Sequence, residues 1–137
     1  MSKESIKLIR QFSVEIPIRF TDVGFGLHLP FDIMFNLLSE ALSCFLKYNG
    51  FTIFDIGGVS FIIPDASISY KSEVQIGDIL KIDVAASNFS EKSCDLFFQV
   101  SKKGGNREVA KARIKIIFYD YNLKKAVPVP KAFKILF

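Results

Sequence analysis

Residues 30–49 carry more apolar side chains than a helix with one wet face needs. Phe31, Met34, Phe35, Leu38, Ala41, Leu42 and Phe45 recur at i, i+3 and i+4, the spacing of a single helical face. Pro30 suits the first turn of such a helix and Asn49-Gly50 its end. Ile33, Leu37, Cys44 and Leu46 fall off that face and are apolar as well. A helix greasy on most sides is expected to be buried on most sides, so other elements must cover it.

The covering elements read as strands. Residues 11–20 (QFSVEIPIRF) are rich in β-formers, and residues 21–29 (TDVGFGLHL) form a loop with two glycines. Residues 59–72 read as a long strand interrupted by a bulge at Pro64-Asp65. Residues 73–78 make a turn. Three alternating segments follow. In 79–88, Leu80, Ile82 and Val84 oppose Lys81 and Asp83. In 93–101, Cys94, Leu96, Phe98 and Val100 oppose Asp95, Phe97 and Gln99. In 108–119, Ala110, Ala112, Ile114, Ile116 and Phe118 oppose Lys111, Arg113 and Lys115. Lys103, Gly104, Gly105 and Asn106 supply a hairpin turn, and the tail VPVPKAF is expected to run extended along the surface. The sum is an α+β fold in one domain over 1–137: an antiparallel five-stranded sheet wrapped around one long central helix.

Fifteen phenylalanines among 137 residues exceed what so small a core needs. They either enlarge that core or furnish a subunit interface or an apolar pocket. The net charge of +4 suits a phosphate-bearing ligand and is too mild to argue for nucleic acid. Cys44 and Cys94 have no pairing pattern and read as buried free thiols of a reducing compartment. The opening MSKESIKLIRQF lacks the apolar stretch of a signal peptide, and no run is long enough to insert in a membrane. A cytoplasmic protein is expected.

Several chemistries drop out. Gly24-x-Gly26 lacks the third glycine of a dinucleotide loop, since Leu29 stands there. Gly58-Val59-Ser60 lacks the closing glycine of a nucleophile elbow, which is Ile62 here. One histidine and two distant cysteines do not make a metal site.

One likeness remains. Arg19-Phe20-Thr21-Asp22-Val23-Gly24-Phe25-Gly26-Leu27-His28-Leu29-Pro30, followed by Ser39-Glu40-Ala41, resembles the opening of the 4-hydroxybenzoyl-CoA thioesterase branch of the hotdog superfamily. There a strand ends in Arg-aromatic-x-Asp-x-Asp-x-x-Gly-His-Val-Asn and leads to a helix with an acidic residue before alanine. Residues 66–78 resemble that family's strand ending in a Gly-Asp turn, here Gly77-Asp78, and Val127-Pro128-Val129-Pro130 is similar to its closing segment. The likeness covers roughly 14–133. The departures that bear on chemistry are Gly24, which replaces the second aspartate, usually the catalytic carboxylate, Leu27, which replaces the glycine, and Pro30, which replaces the asparagine.

The resemblance implies an acyl-CoA or acyl-carrier-protein thioesterase, a homodimer or tetramer, needing neither cofactor nor metal. Such hydrolysis requires a polarised carbonyl and an attacking group. A glycine loop entering a helix offers backbone amides to the carbonyl, which makes Gly24, Gly26 and Leu29 candidate substrate contacts. Asp22, the nearest remaining carboxylate, either activates water or braces the loop. His28 is either a base, or hydrogen-bond partner of the thioester, or a structural loop residue. Glu40 on its apolar helix is either used or satisfied structurally, and Asp32 and Asn36 extend it into one polar stripe. Lys71, Lys92 and Ser93 match positions where the family places phosphate contacts. The Lys111/Arg113/Lys115 stripe is either a further contact or a solvated strand face. A non-hydrolytic acyl-thioester binder is the alternative, because Gly24 stands where the carboxylate should be. A related dehydratase is a third option with a poorer likeness.

Overall fold

The computed structural model describes residues 11–105 and 107–137. Residues 1–10 of the N-terminal stretch read for a leader, and Asn106 of the expected turn, lie outside them. Strand β1 (Phe12–Pro17) is followed by one helical turn, α1 (Phe20–Val23), and a tight 3-10 turn at Gly24–Gly26. The expected glycine loop is thus largely coiled into turns. Then come α2 (Phe31–Tyr48), β2 (Ser60–Tyr70), β3 (Ile79–Ser87), β4 (Ser93–Lys102) and β5 (Glu108–Asp120). A two-residue strand β6 (Lys125–Ala126) and a short helix α3 (Lys131–Lys134) complete the described chain.

The strands form one antiparallel sheet in the order β1-β3-β4-β5-β2, with β6 paired to the end of β5. Five strands were expected, and β6 is the addition. Their period-two patterning sets the register. Phe12, Val84, Phe98, Ala112 and Ile68 lie in one row across five strands. Val84 and Phe98 in that row are fully buried, and each such side chain contributes about 1.5–3 kcal/mol on leaving water. The bulge in β2 is present: the register shifts between Ile62 and Asp65, where Pro64 has no N–H to give the ladder. The outermost strands, β1 and β2, therefore each carry a proline, Pro17 and Pro64.

Helix α2 runs 18 residues from Pro30 as N-cap to Asn49 as C-cap and lies against β1 and β3. Met34, Leu37, Leu38, Ala41, Leu42, Phe45 and Leu46 are buried. Asp32, Asn36, Glu40, Lys47 and Tyr48 are exposed. The expected burial of this helix on most sides is therefore not found. The sheet covers one face of α2, and the polar stripe at i, i+4 and i+8 marks the face it leaves open. Cys44 is half-exposed beside that stripe and only Cys94 is buried. Among the described residues no helix is long and apolar enough to cross a membrane.

The tail does not run extended along the surface as expected. Val129 is buried, and Phe133 on α3 is fully buried in a ring cluster with Phe51, Phe89, Phe118 and Phe137. Residues 127–133 close the core instead of lying over it. Gly57 makes room: a Cβ there would stand 2.8 Å from the Pro130 Cβ. The phenylalanines serve two ends, since Phe25 and Phe54 are 93% and 82% exposed while Phe45, Phe98 and Phe118 are sealed inside.

Candidate active site

Two cavities flank α2, and they part Asp22 and Glu40 on one from His28, Leu29 and Lys71 on the other. The larger, about 670 Å³, lies between Arg19, Thr21 and Asp22 on one side and Ile33, Asn36 and Glu40 of α2 on the other. The smaller, about 310 Å³, is bordered by His28, Leu29, Phe31, Met34, Tyr70 and Glu73, with Lys71 also on its wall. Lys71 and Glu73 also border a third cavity of about 420 Å³, with Lys102 and Arg107. Gly24 and Gly26 border none of the three, nor do Lys92 and Ser93.

Asp22 is fully engaged. Its Oδ2 accepts the Arg19 amide at 2.8 Å and its Oδ1 the Arg19 guanidinium at 3.2 Å. Burial opposes the charge on this carboxylate. The backbone bond, the side-chain bond and the positive charge of Arg19 together outweigh it and hold the pKa below the ordinary value. With its lone pairs committed, Asp22 caps α1 and fixes the turn.

Gly24 has φ +67° and ψ −161°, a region that side-chain-bearing residues essentially do not occupy. The position where a carboxylate was expected has a backbone suited to glycine alone. Leu27, the residue in place of the family's glycine, sits in the left-handed region at φ +65°.

Glu40 is exposed on the open face of α2, so no burial cost is levied on it, and the Cys44 thiol donates to its Oε2 at 3.6 Å. Burial, then the charge and hydrogen bond of Glu40, push that thiol up, which makes Cys44 a poor nucleophile. Lys92 is exposed at the start of β4. Ser93 is buried there, its hydroxyl 2.6 Å from that of Ser90. Cys94 beside it is pushed up to about 12 by burial and the charge of Asp95.

At the smaller cavity His28 Nδ1 lies 3.3 Å from Glu73 Oε1, with the side chains 55% and 76% exposed. A short ladder joins the two segments: His28 bridges to Gln75, and the Leu29 amide donates to Val74 O at 2.8 Å. The Leu29 amide is therefore spent, as are those of Leu27 on Gly24 O and Ile33 on Pro30 O. The first-turn amides of Phe31 and Asp32 have no acceptor among the described residues, and they stand at the positive end of α2. Tyr70 stacks on Phe31 with ring centroids 4.5 Å apart, and its hydroxyl donates to Phe31 O. Burial and then the Asp32 charge raise the phenol, keeping it a donor. Sequence reasoning missed Tyr70, Glu73, Lys102 and Arg107. Tyr70 and Glu73 lie inside the 66–78 likeness, which assigns them no role, and Lys102 and Arg107 are brought together by the Lys102 amide donating to Arg107 O across the turn after β4.

A family model described as the thioesterase-like superfamily matches residues 18–137. No curated protein matches the chain. Among solved structures, Slr0204, a 1,4-dihydroxy-2-naphthoyl-CoA thioesterase from Synechocystis, superposes with TM-score 0.81 at 17% identity, covering 90% of this chain and 92% of that one. The gentisyl-coenzyme A thioesterase BH1999 gives 0.80 at 20% identity, covering 92% and 99%. SAV2348 from Staphylococcus aureus, solved in complex with CoA, gives 0.82 at 14% identity, covering 93% and 82%. Identities this low speak for the fold. Together with the family match they establish that the chain belongs to the thioesterase-like superfamily and has its hotdog fold.

Proposed function

We propose that this protein hydrolyses an acyl-CoA thioester with an apolar acyl group, working as a homodimer or tetramer. One observation carries the reading. His28 stands on a cavity whose other walls include Leu29, Phe31, Met34 and Val74, and which shares Lys71 with a cavity bordered by Lys102 and Arg107. A base, an apolar chamber and neighbouring cations are what an acyl group joined to a phosphorylated carrier requires. The CoA bound to SAV2348 supports CoA over a carrier protein. The unspent amides of Phe31 and Asp32 would receive the thioester oxygen as it gains charge.

His28 is the base in this reading. Glu40, facing the larger cavity with Asn36, is the second candidate, its open face of α2 meeting a partner subunit. Asp22 braces. Leu29 lines the acyl chamber and Lys71 meets a phosphate. Gly24, Gly26, Lys92 and Ser93 border none of the three cavities, and this reading assigns them no substrate contact.

A thiol-release assay over a panel of acyl-CoAs tests this. Hydrolysis is expected in the wild type, with loss in His28→Ala. Full activity in His28→Ala, Glu40→Ala and Asp22→Ala alike would overturn the site. The second reading, a binder without turnover, is favoured by the glycine-only backbone at Gly24. Saturable acyl-CoA binding with no thiol released would establish it.

A further inference from the structure

We propose that Glu73 is a positioning residue for His28, holding the imidazole as its Nδ1–H form so that Nε2 is the basic atom. The inference rests on the thioester-hydrolase reading and names the atom that acts in it. His28 Nδ1 and Glu73 Oε1 are 3.3 Å apart. Both side chains are solvated, so their own attraction is weak. What brings them together is the backbone. His28 pairs with Gln75, and the Leu29 amide is held by Val74 O at 2.8 Å. The Gln75 amide in turn donates to Asp78 Oδ2 at 2.9 Å, and Asp78 binds Lys102 at 3.1 Å. The segment carrying Glu73 is thereby tied to the turn before β3.

A carboxylate accepts and cannot donate, so the proton of a neutral imidazole facing it sits on Nδ1. The lone pair is then on Nε2, and both residues border the smaller cavity. In the reaction Nε2 takes a proton from water as the water oxygen bonds to the thioester carbonyl carbon. The C–S bond then breaks, and the departing sulfur takes the proton back from Nε2–H, giving free acid and thiol.

His28 is the sole histidine of the chain, so in 15N-labelled protein made without a histidine tag the imidazole nitrogen signals are its own. Spectra recorded where the ring is neutral should show the Nδ1–H form in the wild type. Glu73→Ala should move the proton toward Nε2 and lower kcat about tenfold with KM changed less than twofold. Glu73→Gln, whose amide oxygen still accepts, should keep the Nδ1–H form and restore most of kcat. A wild-type ring in the Nε2–H form, or one unchanged by Glu73→Ala, overturns the proposal. So does an altered tautomer with unchanged kcat. A wild type that releases no thiol from any acyl-CoA overturns the hydrolase reading instead, and the spectra then still decide where the proton resides.

Discussion

Asp22 holds Arg19 at both ends of that residue: Oδ2 takes the backbone amide at 2.8 Å, and Oδ1 takes the guanidinium at 3.2 Å. The carboxylate is 9% exposed, so losing its charge leaves two donors poorly served. Asp22→Asn should cost about 1–3 kcal/mol at neutral pH, read by denaturant unfolding. The folded pKa lies below the ordinary 3.8. The contribution of this carboxylate is therefore complete above that value and disappears as pH falls through the lower, folded one. Wild type and variant should converge in stability there, and above pH 3.8 the gap between them should stay constant.

Gly24 limits how a carboxylate could be restored to the loop. A Cβ at this site meets nothing within 4 Å, yet φ is +67°. Backbone strain is the whole obstacle. Gly24→Asp and Gly24→Ala should lose similar stability, about 1–3 kcal/mol each, seen as matching falls in Tm. A gain of hydrolysis confined to Gly24→Asp would then report the carboxylate and not the strain.

Gly57 also has a positive φ, +65°, and unlike Gly24 lacks the free space. Its Cβ would meet the ring of Pro130, which leads into α3. Gly57→Ala should therefore destabilise more than Gly24→Ala in the same unfolding assay, because strain and overlap add.

The seal that Gly57 admits depends on Phe133. Its ring is fully buried and lies 4.9 Å from Phe137 and 5.5 Å from Phe118. Phe133→Ala should cost about 3–5 kcal/mol, measured by thermal or chemical unfolding.

Lys71 and Arg107 border the cationic cavity, and Lys102 there is already bound to Asp78. If the nucleotide part of CoA docks there, Lys71→Glu with Arg107→Glu should raise KM for acyl-CoA by roughly tenfold. KM for an acyl-pantetheine without the nucleotide should stay nearly unchanged, and steady-state kinetics on the two substrates separates these outcomes.

Much of the fold was legible because strands announce themselves locally. The alternation of Ala110 to Phe118 fixes which side of β5 is buried, and Pro64 marks the bulge without reference to any other strand. Pro30 and Asn49 bracket α2 for the same reason. The open face of α2 was less legible. Apolar Ile33 and Cys44 argued for enclosure, but exposure depends on what lies opposite, and that is a property of the sheet. The buried tail was hidden by its prolines, which read as extended chain until Phe133 is seen to turn inward. At the site, His28 and Asp22 were legible as residue types, but their partners were unequal in visibility. Arg19 is three positions from Asp22, whereas Glu73 reaches His28 only through a ladder between distant segments.

The prolines of β1 and β2 bear on crowding. A sheet whose border strands present continuous rows of amides and carbonyls invites further copies to add without end. Here Pro17 ends one border strand, and Pro64 with its shifted register interrupts the other. Molecules meeting border to border at β2 find their pairing broken at the bulge, which disfavours open-ended growth and leaves a closed, finite pairing available.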